Sequence, residues 1–255
     1  MSAEKAGTSE DAVLGGRLKL RQPLRGHRVG HDAVLLAAAT AVQPGDHAVD
    51  LGAGVGAAGL ALARRIAGVA VTLMDIDPAL TALAAGNAQR NGLSDRVRAV
   101  CLDAEAPAAA FAAAGLAPES AAGVLMNPPF NVAQPPSPDR ARRAAHAATD
   151  DTLRQWLRTA ARLLRAEGGV TLIWRADGLA EVLATLSKDF GAITVLPVHP
   201  KPGAAAIRVL VRATKGNRAP LALLPGFLLA DADGKPTGAA EAVLRGGEAL
   251  SLTGN

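Results

Sequence analysis

Between His47 and Ala213 the chain alternates short β-branched runs with alanine- and leucine-rich stretches, and this alternation leaves few folds open. His47–Leu51, Ala70–Asp75, Val97–Leu102, Gly123–Asn127, Val170–Trp174, Ile193–Val198 and Ile207–Ala213 read as strands. Gly56–Ile66, Pro78–Arg90, Asp151–Ala166 and Gly178–Lys188 read as helices between them. A strand re-enters a sheet in the same direction only through a crossover long enough to hold a helix, so strands spaced in this way pair in parallel. The expected architecture is α/β, a doubly wound sheet of seven mostly parallel strands. No helix separates the last two strands, which are expected to form an antiparallel hairpin. Pro78 suits a first helical turn, and Gly92 and Gly168 stand where helices should stop.

Ahead of the sheet, residues 1–14 read as a flexible tail. Residues 15–45 read as a short hairpin around Arg17–Leu24 and a helix from His31 to Thr40, packed on the core formed by 46–255. The chain is thus in effect one domain over 15–255. Ala104–Ala122 reads as a loosely packed helix with loops, and Lys215–Asn255 as irregular apart from a short helix at Ala239–Leu244. Five prolines keep Pro128–Pro138 out of regular structure.

Composition narrows the class. With 49% hydrophobic and 20% charged residues in 255, the chain can bury a sizeable core. A net charge of +4 permits a nucleic-acid partner without demanding one. The single cysteine, Cys101, excludes an internal disulfide framework and reads as a small buried hydrophobe. The polar opening MSAEKAGTSEDA lacks an apolar signal segment, and Ala33–Val42 is too short to span a membrane, so a cytoplasmic protein is expected. Aromatics make up 2% of the chain, which leaves Phe111, Phe130, Phe190, Phe227, Trp156 and Trp174 as the only possible stacking surfaces. An extended platform for single-stranded nucleic acid is excluded.

The segment Asp50-Leu51-Gly52-Ala53-Gly54-Val55-Gly56 joins a strand to a helix through a glycine turn. Glycine at 52, 54 and 56 lets backbone bend sharply and a ligand approach closely. The pattern matches the dinucleotide fingerprint only weakly, since it ends in Ala57. The carboxylate of Asp50 would repel a pyrophosphate but suits a ligand carrying an ammonium or sulfonium group, which favours S-adenosylmethionine over a nicotinamide dinucleotide. The next strand ends in Asp75, about 20 residues on, where its oxygens suit ribose hydroxyls, with Ile76 beside it. Asp77, immediately before Pro78, suits a helix cap. Asp103 and Ala104 follow the third strand at the same sheet edge. Asp103 either accepts from a cofactor adenine amine or is a solvated loop residue.

Gly123-Val124-Leu125-Met126-Asn127-Pro128-Pro129-Phe130 is a buried strand halted by consecutive prolines. With DLGAGVG, LMDIDP and CLDA it resembles the Rossmann-like class I S-adenosylmethionine-dependent methyltransferases, specifically the N-methyltransferases with an Asn-Pro-Pro-aromatic motif. The flanking GHRVGHDAVLLAAA and AIRVLVRATKGNRAPLALLPGFLL are similar to bacterial valine-tRNA adenine N6-methyltransferases, a resemblance that covers roughly Arg17 to Leu229. It implies that Asn127 and the Pro128 carbonyl accept the two N–H bonds of an exocyclic amine, with Pro129 and Phe130 completing the motif and Phe130 stacking on the base for about 1–3 kcal/mol. It also implies that Asp32 lies near the cofactor's methionine end; a helix N-cap is the alternative. Neither a metal nor a strong general base is required. Adenine N6 in tRNA is the leading acceptor, with rRNA guanine N2 and protein glutamine as alternatives because all three are planar amines.

For RNA phosphates, Arg140, Arg142, Arg143 and His146 stand just after the motif. A late set, Lys201, Arg208, Arg212, Lys215 and Arg218, and an early set, Arg17, Lys19, Arg21, Arg25 and Arg28, are further candidates. The five histidines have no metal-ligand spacing. A nicotinamide oxidoreductase is disfavoured by Asp50, and a catalytically dead RNA binder by the intact acids and NPPF. Monomer and homodimer both stay open.

Overall fold

The structure, a computed structural model, describes residues 7–24, 28–129 and 140–252, the side chains of 140–151 excepted. Strands β1 (Thr8–Val13) and β2 (Leu18–Pro23) form an antiparallel hairpin ahead of α1 (His31–Ala39). β3 (His47–Leu51), α2 (Ala57–Arg65), β4 (Ala70–Asp75), α3 (Pro78–Arg90), β5 (Val97–Cys101), α4 (Ala108–Ala113), β6 (Ala121–Met126), α5 (Arg140–Leu163) and β7 (Leu164–Arg175) then alternate. These five strands run parallel. After α6 (Leu179–Leu186) come β8 (Phe190–His199) and β9 (Arg208–Lys215). β9 lies between β7 and β8, antiparallel to both, giving the order β8-β9-β7-β6-β3-β4-β5. The expected doubly wound α/β sheet and its closing antiparallel hairpin are both present.

Winding places the site. The chain moves outward from β3 to β5 and returns to β6 on the other side of β3, so a crevice opens at the carboxyl ends of β3 and β6. Both faces of the sheet are covered. Ala48 faces the layer of α1, α2 and α3, whereas Val49 and Leu51 face that of α4, α5 and α6. Strands buried on both sides must be apolar throughout, and β6 is buried at every residue. No helix among the described residues is long and apolar enough to cross a membrane.

Several boundaries differ from the sequence reading. Residues 8–13, expected in the flexible tail, form β1. Their sequence TSEDAV has no apolar alternation to reveal a strand; Asp11 supplies the cross-links instead, accepting from Gln22 Nε2 at 2.6 Å and Arg28 Nη2 at 2.7 Å. Residues 164–166, expected to end a helix, begin β7 instead, because Leu164 pairs with Ala121 across a bulge whose Glu167 has φ of +59°. Gly168 serves that bulge, where a Cβ would come within 2.9 Å of the Arg165 carbonyl, and does not stop a helix. The chain after Lys215 adds two short strands, β10 (Ala222–Leu223) and β11 (Phe227–Leu228), both parallel to β8, before α7 (Gly238–Leu244). Only Ala108–Ala113 of the alanine-rich segment is helical. Cys101, expected to be buried, is exposed at the end of β5.

Two asparagines one helical turn apart dock the hairpin. Asn87 on α3 accepts from the Arg21 N–H at 2.8 Å and donates to the Arg21 carbonyl at 2.9 Å. Asn91 does the same for Lys19, at 2.9 and 2.7 Å. The side-chain amides thus replace a neighbouring strand along the outer edge of β2. Asn87 also donates to the Val55 carbonyl in the glycine turn at 3.0 Å, so one buried amide ties the hairpin to that turn. Asn87→Ala leaves three backbone groups without this partner and is expected to cost about 1–3 kcal/mol, read as a lowered denaturation midpoint, with Asn91→Ala costing less at its more exposed position.

Candidate active site

The carboxyl ends of β3, β4, β5 and β6 converge on a cavity of about 780 Å³, within the range of roughly 300–1,000 Å³ typical of small-molecule pockets. Asp32, Asp50, Gly52, Ala53, Gly54, Asp75, Ile76, Asp103, Ala104, Asn127, Pro128 and Pro129 all line it. Residues singled out from five separate segments therefore share one space.

The glycine turn leaves β3 with left-handed backbone at Gly52, Gly54 and Gly56 (φ 72°, 56° and 87°). Gly52 is doubly constrained, since a Cβ there would stand 2.1 Å from the ring of Trp156 on α5. Gly52→Ala is expected to destabilise the fold by about 2–5 kcal/mol through overpacking and the left-handed backbone. Adding Trp156→Ala should recover part of that loss, and denaturation of the double-mutant cycle checks it. Gly56 does not line the cavity. A Cβ there would press on Leu73, Leu60 and Ala84, so the absence of a side chain packs the turn onto α2, α3 and β4.

Each acid has its own setting. Asp50 is buried beneath α2, and its Oδ2 accepts from the Gly59 N–H at 2.7 Å. Burial pushes its carboxyl up to about 7; the Gly59 bond opposes the rise and the charge of Asp75 adds to it. Asp75 accepts from Gly54 N at 2.7 Å and Asp77 N at 2.9 Å, which fixes the turn against β4 and leaves lone pairs for further donors. Asp77 caps α3 through Ala79 N at 2.7 Å, as expected. Asp103 accepts from Glu105 N at 2.9 Å at the cavity wall. Asp32 does not cap α1, whose N-cap is Gly30; it pairs with Arg208 at 2.9 Å.

Asn127 closes the site. It follows the last residue of β6, the prolines after it stop the strand, and its Oδ1 is buried with no hydrogen-bond partner among the described residues. A buried unpaired acceptor costs about 1–3 kcal/mol and is retained where a ligand donor completes it. Phe130 and the sequence after it to 139 lie outside the described residues, as do the side chains of Arg140, Arg142, Arg143 and His146, whose backbone forms the start of α5. Arg25 and His27 also lie outside them.

Other expectations are corrected. Lys215 pairs with Glu119 at 3.0 Å and with the Leu164 carbonyl at 2.8 Å, at the sheet edge opposite the cavity, and Arg218 follows it there. Arg208 opens β9 at the cavity edge, so the late basic set is split along a strand of about 3.4 Å per residue and forms no single patch. Phe111, Phe190, Phe227 and Trp174 are buried in the core, with Arg162 stacked 3.9 Å over Phe111, and present no face to a base. Trp156 and Thr152, one turn apart on α5, line the cavity. On the same helix Thr159 donates to the Ala104 carbonyl at 2.7 Å, holding the Asp103 loop. Only the scarcity of aromatics pointed to Trp156, and no local signal marked Arg208 as a cavity residue.

A family model described as methyltransferase small domain matches residues 27–201. A protein of Bacteroides thetaiotaomicron named tRNA1(Val) (adenine(37)-N6)-methyltransferase is 30% identical over 193 residues, 74% of this chain and 78% of that protein. A release factor glutamine methyltransferase of Chlorobaculum tepidum is 31% identical over 60% of this chain and 53% of its own. Among solved structures, an Agrobacterium tumefaciens protein described as a predicted O-methyltransferase superposes with a TM-score of 0.73 at 30% identity, over 86% of this chain and 98% of that one.

Proposed function

This chain belongs to the methyltransferase small domain family, and from that premise we propose that it methylates the exocyclic N6 of adenine in a cytoplasmic tRNA, in tRNA(Val) beside the anticodon. It is an S-adenosylmethionine-dependent methyltransferase, which sets the oxidoreductase alternative aside. Bound there, S-adenosylmethionine supplies an electrophilic methyl group on a sulfonium. The donor set suits it: Asp75 would hold the ribose hydroxyls, Asp103 an adenine amine, and Asp50 and Asp32 an ammonium.

The observation that carries the reading is the buried oxygen of Asn127, without a partner among the described residues, in the wall of this acid-lined cavity. An aryl amine is a poor nucleophile because its lone pair is delocalised. Asn127 Oδ1 and the Pro128 carbonyl accept its two N–H bonds, fix the nitrogen, and stabilise the positive charge that grows on it as it attacks. The proton leaves after transfer, so no strong base is needed. A hydroxyl acceptor has one hydrogen and would leave one of these two oxygens unused, which favours nitrogen over oxygen. The sequence resemblance gives Phe130 the role of stacking on a base swung out of its helix, and Arg140, Arg142 and Arg143, which follow the motif from ten residues on, that of meeting the phosphates. The names of the tRNA-modifying relatives support adenine; that of the glutamine methyltransferase keeps protein glutamine as a second reading.

The test is transfer of labelled methyl to separate tRNA, rRNA and protein fractions, followed by nucleoside and amino-acid analysis. The expected product is N6-methyladenosine in tRNA. Label in N2-methylguanosine, in methylglutamine or on oxygen would assign another acceptor.

A further inference from the structure

The cavity's charges are uneven. Asp32, Asp50, Asp75 and Asp103 place four carboxylates in its wall, and Arg208 is the one cation among its described lining residues. Arg208 opens β9, and its Nε donates to Asp32 Oδ2 at 2.9 Å across 176 residues of sequence. Its Nη1 donates to the Ile207 carbonyl at 3.0 Å, which fixes the plane of the guanidinium. Both side chains of the pair are part-exposed, at 29% and 26%. The amino end of α1 lies at the same place. Its N-cap, Gly30, supplies no side-chain acceptor, and Gly30 and Ala33 line the cavity beside Asp32.

Resting on the methyltransferase reading, we propose that Arg208 seats the α-carboxylate of the cofactor's methionyl end, while Asp32 orients the guanidinium and accepts from the α-ammonium. A ligand carboxylate is repelled along most of this wall, and the cation of Arg208 together with the first N–H groups of α1 offers the place where it is attracted. Guanidinium also matches carboxylate geometry better than an ammonium does. An RNA phosphate fits the pair less well, because it brings no positive group for Asp32. A group bearing carboxylate and ammonium on one carbon satisfies both partners at once. The nucleoside end then points along the sheet edge toward Asp75 on β4 and Asp103 after β5, and the sulfur falls between, near Asn127.

The experiment compares two ligands by calorimetry. S-adenosylhomocysteine carries the amino-acid end; 5′-methylthioadenosine shares the nucleoside and thioether and lacks it. Arg208→Gln is expected to weaken S-adenosylhomocysteine about 10–100-fold and to leave 5′-methylthioadenosine within about twofold, with Arg208→Lys in between. Retained binding of 5′-methylthioadenosine also shows that the variant is folded. Equal weakening of both ligands would make Arg208 a general support of the cavity and overturn the inference. Unchanged binding of both would overturn it as well, and a loss of RNA affinity in the same variant would give Arg208 to the acceptor. Failure of the unaltered protein to bind S-adenosylhomocysteine would instead bring down the methyltransferase reading, and this inference with it.

Discussion

Asn127→Ala is expected to lower the rate of methyl transfer on the order of 10²–10³-fold while shifting the affinity for S-adenosylhomocysteine by less than about tenfold. The asymmetry follows from where the oxygen acts. Asn127 Oδ1 has no partner among the described residues, so its stabilisation is realised only when an amine hydrogen, increasingly acidic as the nitrogen turns cationic, arrives in front of it. Interactions made in the transition state and absent from the ground state lower the barrier, and removing one such preorganised group costs about 3–4 kcal/mol. Stability should move the other way. Among the described residues nothing offsets the desolvation of this buried acceptor, and alanine removes it, so denaturation should show no loss and up to about 1–3 kcal/mol of gain, offset by any cavity formed. A variant that is stable, binds cofactor and transfers methyl at nearly the original rate would contradict the mechanism.

The second large effect is a pH dependence at Asp50. Its carboxyl is raised to about 7, above the ordinary value of 3.8, so the folded protein binds this proton more tightly than the unfolded chain. The corresponding stability is fully present below about pH 4 and is lost as pH rises to 7. Above that the free protein carries a penalty of about 4 kcal/mol, at roughly 1.4 kcal/mol per unit of pH. Asp50→Asn keeps an acceptor for the Gly59 N–H without the charge. The variant should therefore gain on the unaltered protein between pH 4 and 7 and stay ahead at higher pH, as measured by chemical denaturation without ligand. Binding reverses the advantage. An ammonium beside Asp50 favours the carboxylate, so S-adenosylhomocysteine should release a proton on binding near pH 6, visible in calorimetry as a heat that depends on the buffer. Asp50→Asn should bind more weakly and release no such proton. A stability difference that does not change with pH would contradict this account.

The sequence revealed those parts of the molecule that short-range chemistry specifies. Pro78 after Asp77 marked the start of α3, because the proline ring and the aspartate oxygen act within one turn. The glycines after Asp50 marked the turn, and the prolines after Asn127 the end of β6, because each restricts its own backbone. What stayed hidden depends on distant partners. Leu164 joins the sheet through Ala121, against the helical pattern around it. β1 is polar and is held by Gln22 and Arg28, so no apolar period betrays it. The packing of Gly56 on Leu73 and Ala84 likewise depends on residues far along the chain. The walls added by Trp156 and Arg208 come from α5 and β9, and only the folded arrangement brings them to the glycine turn.

Methyl transfer by this route requires one meeting point: a methyl donor's sulfur facing an amine held by the oxygens of Asn127 and Pro128. The decisive experiment is a crystal structure of the complex with S-adenosylhomocysteine. The expected result is the adenosine along Asp75 and Asp103, with the thioether sulfur turned toward the Asn127 side chain across a gap open to an incoming base. A ligand bound with its sulfur away from Asn127, or seated outside this cavity, would contradict it.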